Sequence, residues 1–135
     1  MKMRQVYQND DNGCWIACVS MLTGEPYRKI RDRYKFHGDV TGRSAGPIVE
    51  LLHDLGFSCD KQSTKLSKIG SLKVLDENAL VYTKNLDEDG DETGGHWMVW
   101  DSKLKVLRDP EGWSADRRRT IKNFRVVKAT VDARK

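Results

Sequence analysis

No stretch of the chain approaches the roughly 20 consecutive apolar residues that a membrane-spanning helix requires. Met1 to Gln8 carries basic residues without an apolar core, so no signal peptide is expected and a cytoplasmic location is. With only 3 prolines in 135 residues there is no proline-rich linker, and neither a repeat nor a low-complexity tract divides the sequence. Residues 1–135 are therefore expected to form a single domain, a length that buries about two-thirds of the unfolded surface. The cysteines are few and odd in number: Cys14, Cys18 and Cys59. An odd set argues against a disulfide framework and for free thiols in a reducing compartment. The 3 histidines, His37, His53 and His96, stand singly, without the spacing that zinc ligation uses, so neither a metal nor another cofactor is expected. The acidic residues Asp87, Glu88, Asp89, Asp91 and Glu92 lack the register of a calcium loop. The net charge of +4 arises from 24 basic and 20 acidic residues spread over both halves. Arg117-Arg118-Arg119 is the one basic cluster, which fits a solvated loop or strand edge better than the continuous basic face of a nucleic-acid binder.

What is present divides into a helical first half and a strand-like second half. Asn12 suits the cap of a helix running to Leu22, with Ile16, Val19 and Leu22 as its apolar stripe and Gly24 as its stop. Pro26 suits the first turn of a second helix ending near Tyr34. After a loop over residues 36–46, Pro47 begins a third helix, in which Ile48, Leu51, Leu52 and Leu55 recur at helical spacing before Gly56. Short strands are then expected at 57–59 and 79–83. A hairpin with strands 96–100 and 103–107 follows, turning at Asp101-Ser102, and a last strand covers 124–131. Helices followed by strands predict an α+β domain whose N-terminal helices pack on an antiparallel sheet.

One stretch, Gln8-Asn9-Asp10-Asp11-Asn12-Gly13-Cys14-Trp15-Ile16-Ala17-Cys18, carries most of the chemical information. A cysteine in the first turn of a helix gains from the unpaired backbone N–H groups and the positive end of the helix dipole, which favour its thiolate. A glutamine six residues upstream can offer an amide donor to an oxyanion. Cys18, one turn deeper between Ala17 and Val19, reads as core. The base that the segment lacks appears in Gly94-Gly95-His96-Trp97-Met98-Val99-Trp100, where two glycines let backbone or substrate approach the ring. Asp109, in Arg108-Asp109-Pro110-Glu111-Gly112, follows the next strand, and hairpin geometry returns it beside His96, where it can orient the imidazole. His37 and His53 read as loop and polar-face residues. Trp97, Trp100 and Trp113 fit either a core or the wall of a cleft. Asp10 and Asp11 would raise the thiol pKa if they pointed at Cys14.

At Gln8, Asp10, Cys14, Ala17-Cys18, Ser20-Met21, His96 with its apolar run, Asp109-Pro110 and Gly112, the chain resembles the papain-like cysteine peptidases. Within them it is most similar to the C39 peptidases, which include domains that cleave bacteriocin leaders after a double glycine. Trp15 follows Cys14 as in papain-like enzymes more broadly, where C39 domains usually have glycine, and no transporter segment accompanies the module. The resemblance implies a stand-alone papain-like domain of bacterial or phage type with Gln8 in the oxyanion hole. It further implies Cys14 as nucleophile, His96 as general base and acid, and Asp109 as the orienting residue. The expected activity is hydrolysis of a peptide bond in a peptide or protein substrate through an acyl-enzyme. Two alternatives are a catalytically idle peptide-binding module and an amidase or deamidase acting on a protein side chain.

Overall fold

The computed structural model describes residues 3–35, 40–42, 44–59, 64, 70–86, 89, 91–112 and 119–129, with the backbone alone for 84–86, 92–94 and 119–129. His37, Trp113, Asp87, Glu88, Arg117, Arg118 and the end of the expected last strand lie outside the described residues.

Three helices come first: α1 (Cys14–Thr23), α2 (Tyr27–Tyr34) and α3 (Ala45–Asp54). The expected stripe of α1 understates it, since every residue from Trp15 to Thr23 is buried. Its sequence, CWIACVSMLT, offers no charged face, and a helix apolar all round must be enclosed all round. It lies against α2, α3 and the sheet. Cys14, half-buried, is the one residue of the helix that burial does not claim completely. Gly24 ends α1 with φ 81° and donates its N–H to the Ser20 carbonyl (2.9 Å). The cap at the other end differs from expectation: Gly13, not Asn12, precedes the first helical residue, and no side chain caps it. The helix α3 begins two residues before Pro47, so the proline sits inside the first turn, where its missing N–H costs nothing.

The strands are β1 (Phe57–Cys59), β2 (Ala79–Leu86), β3 (Glu92–Asp101), β4 (Val106–Arg108) and β5 (Arg119–Ala129), with a 3₁₀ turn at Leu72–Val74 before β2. All pairings are antiparallel in the order β1-β5-β2-β3-β4. The architecture is thus α+β, helices first and an antiparallel sheet second. Leu80, Trp97 and Val99 join the helical core, whereas Ala79, Val81 and Trp100 form a second cluster with Leu72. Alternate strand residues point to opposite faces, so the two clusters occupy the two sides of β2 and β3. The strands β2 and β3 outrun their expected bounds because pairing continues past the apolar positions, up to Leu86↔Glu92.

The hairpin turn is longer than the expected Asp101-Ser102. It spans residues 102–105, with Lys105 in the left-handed region (φ 56°), so β4 begins only at Val106. The buried Asp101 holds this turn. Its Oδ1 accepts from the N–H groups of Lys103 (3.2 Å) and Leu104 (3.3 Å), while Oδ2 accepts from Arg108 Nε (3.0 Å) and Nη2 (2.9 Å). Opposite Val99, Arg108 is the last residue of β4, and the bond fixes where the chain leaves the sheet towards Asp109. Removing one member of a buried pair strands the other charge. Arg108→Met is expected to lower unfolding free energy by about 3 kcal/mol. Loss of the exposed Lys29–Glu25 pair (3.2 Å) should cost at most about 1 kcal/mol. Urea denaturation of the two variants checks the contrast.

Candidate active site

His96 lies opposite Thr83 of β2, whose hydroxyl donates to the His96 carbonyl (3.3 Å). Asp109 is the residue after β4. Both are buried, at 4% relative exposure, and Asp109 Oδ1 accepts from His96 Nε2 at 2.7 Å. The same oxygen accepts from the Glu111 N–H (2.8 Å), closing a turn in which the carboxylate acts only as acceptor. That arrangement puts a proton on Nε2 and turns Nδ1 to the opposite side of the ring. There it meets Glu111 Oε1 at 3.5 Å. The pairing of His96 with Asp109 predicted from the hairpin is therefore present, and the turn adds a second carboxylate that the sequence reading passed over.

The segment before α1 is tied to this loop and to α2. Gln8 donates its backbone N–H to the Pro110 carbonyl (2.9 Å), and Gln5 Nε2 donates to the Asp109 carbonyl (2.8 Å). Residues 5–8 thus run alongside the loop that carries Asp109. At the other end, Tyr27 of α2 reaches into the turn before Cys14. Its hydroxyl donates to Asp10 Oδ2 (2.7 Å) and accepts from the Asn9 N–H (3.1 Å). The Asp10 carbonyl accepts from the Gly13 N–H (3.0 Å). A Cβ at residue 13 would collide with the Tyr27 hydroxyl, which is why glycine stands before the helix in place of a side-chain cap. The carboxylate of Asp10 is engaged by Tyr27. Burial, aided by this bond to Asp10, pushes the Tyr27 hydroxyl up to about 12.

Cys14 occupies the first position of α1, where backbone N–H groups lack helical partners. Cys18, fully buried one turn on, has a thiol held well above its ordinary value by desolvation first, and then by the charges of Cys14 and Asp109. Cys18 therefore stays a thiol and packs as core. Among the described residues none of the three cysteines forms a disulfide. The Cys14 thiol takes part, among the described residues, in none of the hydrogen bonds of the site; active-site contacts are often long until a substrate is bound. The Gln8 side chain turns inward, with Nε2 donating to the carbonyls of Asp10 (3.1 Å) and Asp11 (3.3 Å). Its Oε1 is buried and has no hydrogen-bond partner among the described residues.

Other expected features fall differently. Tyr82 fills the space above Gly95, where a Cβ would collide with its hydroxyl and ring, and the same ring meets Trp97 edge-on at 5.0 Å. The room beside Gly95 therefore serves an aromatic packing contact. Trp97 and Trp100 are core, and His53 is exposed. Tyr27, Gln5 and Glu111 act across 18, 104 and 15 residues of chain, so no local period announced them. Asp109-Pro110-Glu111 as a turn opener was the one local hint of the last. Among the described residues no group of three or more His, Cys, Asp or Glu is arranged to hold a metal ion, and no helix is long and apolar enough to cross a membrane. No protein-family model matches the chain, and no curated protein matches it.

Tyr27→Phe removes two hydrogen bonds from the turn before Cys14 and should cost about 2 kcal/mol. A hydroxyl raised from 10.0 to about 12 contributes stability that is complete below pH 10 and lost as pH rises through the folded value. The stability gap between wild type and Tyr27→Phe should accordingly hold constant to that point and close above it. Urea midpoints followed by tryptophan fluorescence across alkaline pH measure it.

Proposed function

We propose that this chain is a cysteine peptidase with a papain-like reaction. The observation that carries the reading is the buried 2.7 Å bond between His96 and Asp109, and it is supported by the half-buried cysteine at the first position of α1. A carboxylate that fixes the tautomer of an imidazole, next to a thiol at a helix start, is what nucleophilic cysteine catalysis requires. Family resemblance at Gln8, Cys14, His96 and Asp109 supports the same assignment.

In this mechanism the thiol gives its proton to His96 Nδ1, and the thiolate attacks the scissile carbonyl carbon. The helix start stabilises the thiolate, and the developing oxyanion takes the backbone N–H of Cys14 together with an amide hydrogen of Gln8. For that, Gln8 turns one hydrogen away from the Asp11 carbonyl, the longer of its two bonds. As the carbon–nitrogen bond breaks, the imidazolium protonates the leaving amine. The neutral ring then takes a proton from water, whose oxygen attacks the thioester; the acid departs and Cys14 is restored. Asp109 keeps the imidazole in place and stabilises its cationic form throughout.

The inward-turned Gln8 amide favours one rival, a peptide-binding module that uses the cleft without catalysis. Mass spectrometry of a defined peptide library incubated with wild type and with Cys14→Ala separates the readings. Backbone cuts made by wild type alone support the peptidase. Side-chain mass changes of about one dalton indicate deamidation, and peptide capture that survives Cys14→Ala without product indicates the binding module. Gln8→Ala should slow cutting by about 10²–10³-fold while the protein stays folded.

A further inference from the structure

His96 lies between two carboxylates: Asp109 Oδ1 stands 2.7 Å from Nε2 and Glu111 Oε1 stands 3.5 Å from Nδ1. The two acids are placed by one turn, because the Glu111 N–H donates to the Asp109 oxygen that holds the ring. Asp109 is sealed from solvent, whereas the Glu111 side chain is 27% exposed. With Nε2 carrying a hydrogen for Asp109, a neutral ring would direct the Nδ1 lone pair at the Glu111 carboxylate. Two concentrations of negative charge at that separation repel, and a proton on Nδ1 turns repulsion into an ion pair.

We propose that Glu111 is a positioning residue for the catalytic histidine, clamping the protonated imidazole from the side opposite Asp109 so that the leaving-group proton is in place before substrate binds. The proposal rests on the peptidase reading and extends it. The proton that Cys14 releases goes to Nδ1, and Glu111 holds the resulting imidazolium without receiving the proton. When the leaving amine takes that hydrogen, the ring becomes neutral. Glu111 then faces a lone pair again, which drives reprotonation from the water that attacks the thioester. Partial exposure lets its side chain withdraw when a substrate amine needs the same position.

The groups that act on the ring come from every element packed on it. Asp109 and Glu111 belong to the loop after β4, and α1, which packs on β3, carries the titratable thiols Cys14 and Cys18. Thr83 faces His96 in β2, and Ile121 is in register with Thr83 in β5; neither titrates. The two carboxylates seen against the ring nitrogens, Asp109 on Nε2 and Glu111 on Nδ1, bear directly on its charge state.

NMR titration of the His96 ring in the full chain tests the clamp without reliance on activity. In Glu111→Gln, of equal shape, the His96 midpoint should fall by about one pH unit. Glu111→Asp, which keeps the charge, should recover part of the shift, and Glu50→Gln on α3 should leave it unchanged. The alkaline limb of the peptide-cutting profile should move down with the midpoint. A midpoint that does not move in Glu111→Gln overturns the proposal, even if peptide is cut. A midpoint that falls in a protein that cuts nothing upholds the clamp and removes the peptidase reading instead.

Discussion

The candidate site hangs on how a buried carboxylate, Asp109, reaches a buried imidazole, His96. Burial makes that hydrogen bond consequential, since a charge withdrawn from water must be matched by donors or it destabilises the fold. Asp109 is matched by the His96 ring and by the Glu111 N–H. Its position is set one residue earlier, where Arg108 is held to Asp101 and the turn 102–105 is closed on the other oxygen of the same acid. The two aspartates thus form a sequence of constraints along one short stretch of chain. Asp101 decides where β4 ends, and the end of β4 decides where Asp109 points.

The helix start is positioned by a separate device. Nothing polar caps α1; instead the Tyr27 hydroxyl takes the space a side chain at residue 13 would need and binds both Asn9 and Asp10. Because Trp15 to Thr23 is enclosed on every side, the helix cannot slide, and Cys14 emerges where enclosure ends. The segment 5–8 then joins the two devices through Gln8 to Pro110 and Gln5 to Asp109. This short bridge ties the segment before α1 to the loop that carries Asp109.

Much of this was legible in the residues alone, for identifiable reasons. Gly24 and Gly56 punctuate helices by backbone freedom, and the apolar spacing of Ile48, Leu51 and Leu52 marks the buried side of α3. Tight hairpins have few geometries, so the return of Asp109 to His96 followed from the order of the strands. The turn length did not, because Asp101 satisfies two turn N–H groups with one oxygen and thereby supports four residues where two were expected. Asn12 was the natural cap by residue type, but a tertiary contact from Tyr27 replaced local capping. Glu111 and Gln5 escaped for the same reason: their roles are hydrogen bonds and charge contacts between remote segments, which leave no period in the sequence. The two glycines before His96 suggest room for backbone or substrate, and at Gly95 an aromatic ring from the neighbouring strand takes that room.

The proposed reaction requires Cys14 to be the nucleophile activated by His96, with Cys18 inert in the core. Alkylation by iodoacetamide, resolved by peptide mapping over the three cysteines, measures this directly at about pH 6, well below the ordinary thiol value of about 8.5. Rapid modification of Cys14, loss of that rate in His96→Ala and protection of Cys18 are the predicted results. Cys14 reacting no faster than Cys59, at a rate indifferent to His96→Ala, would contradict it.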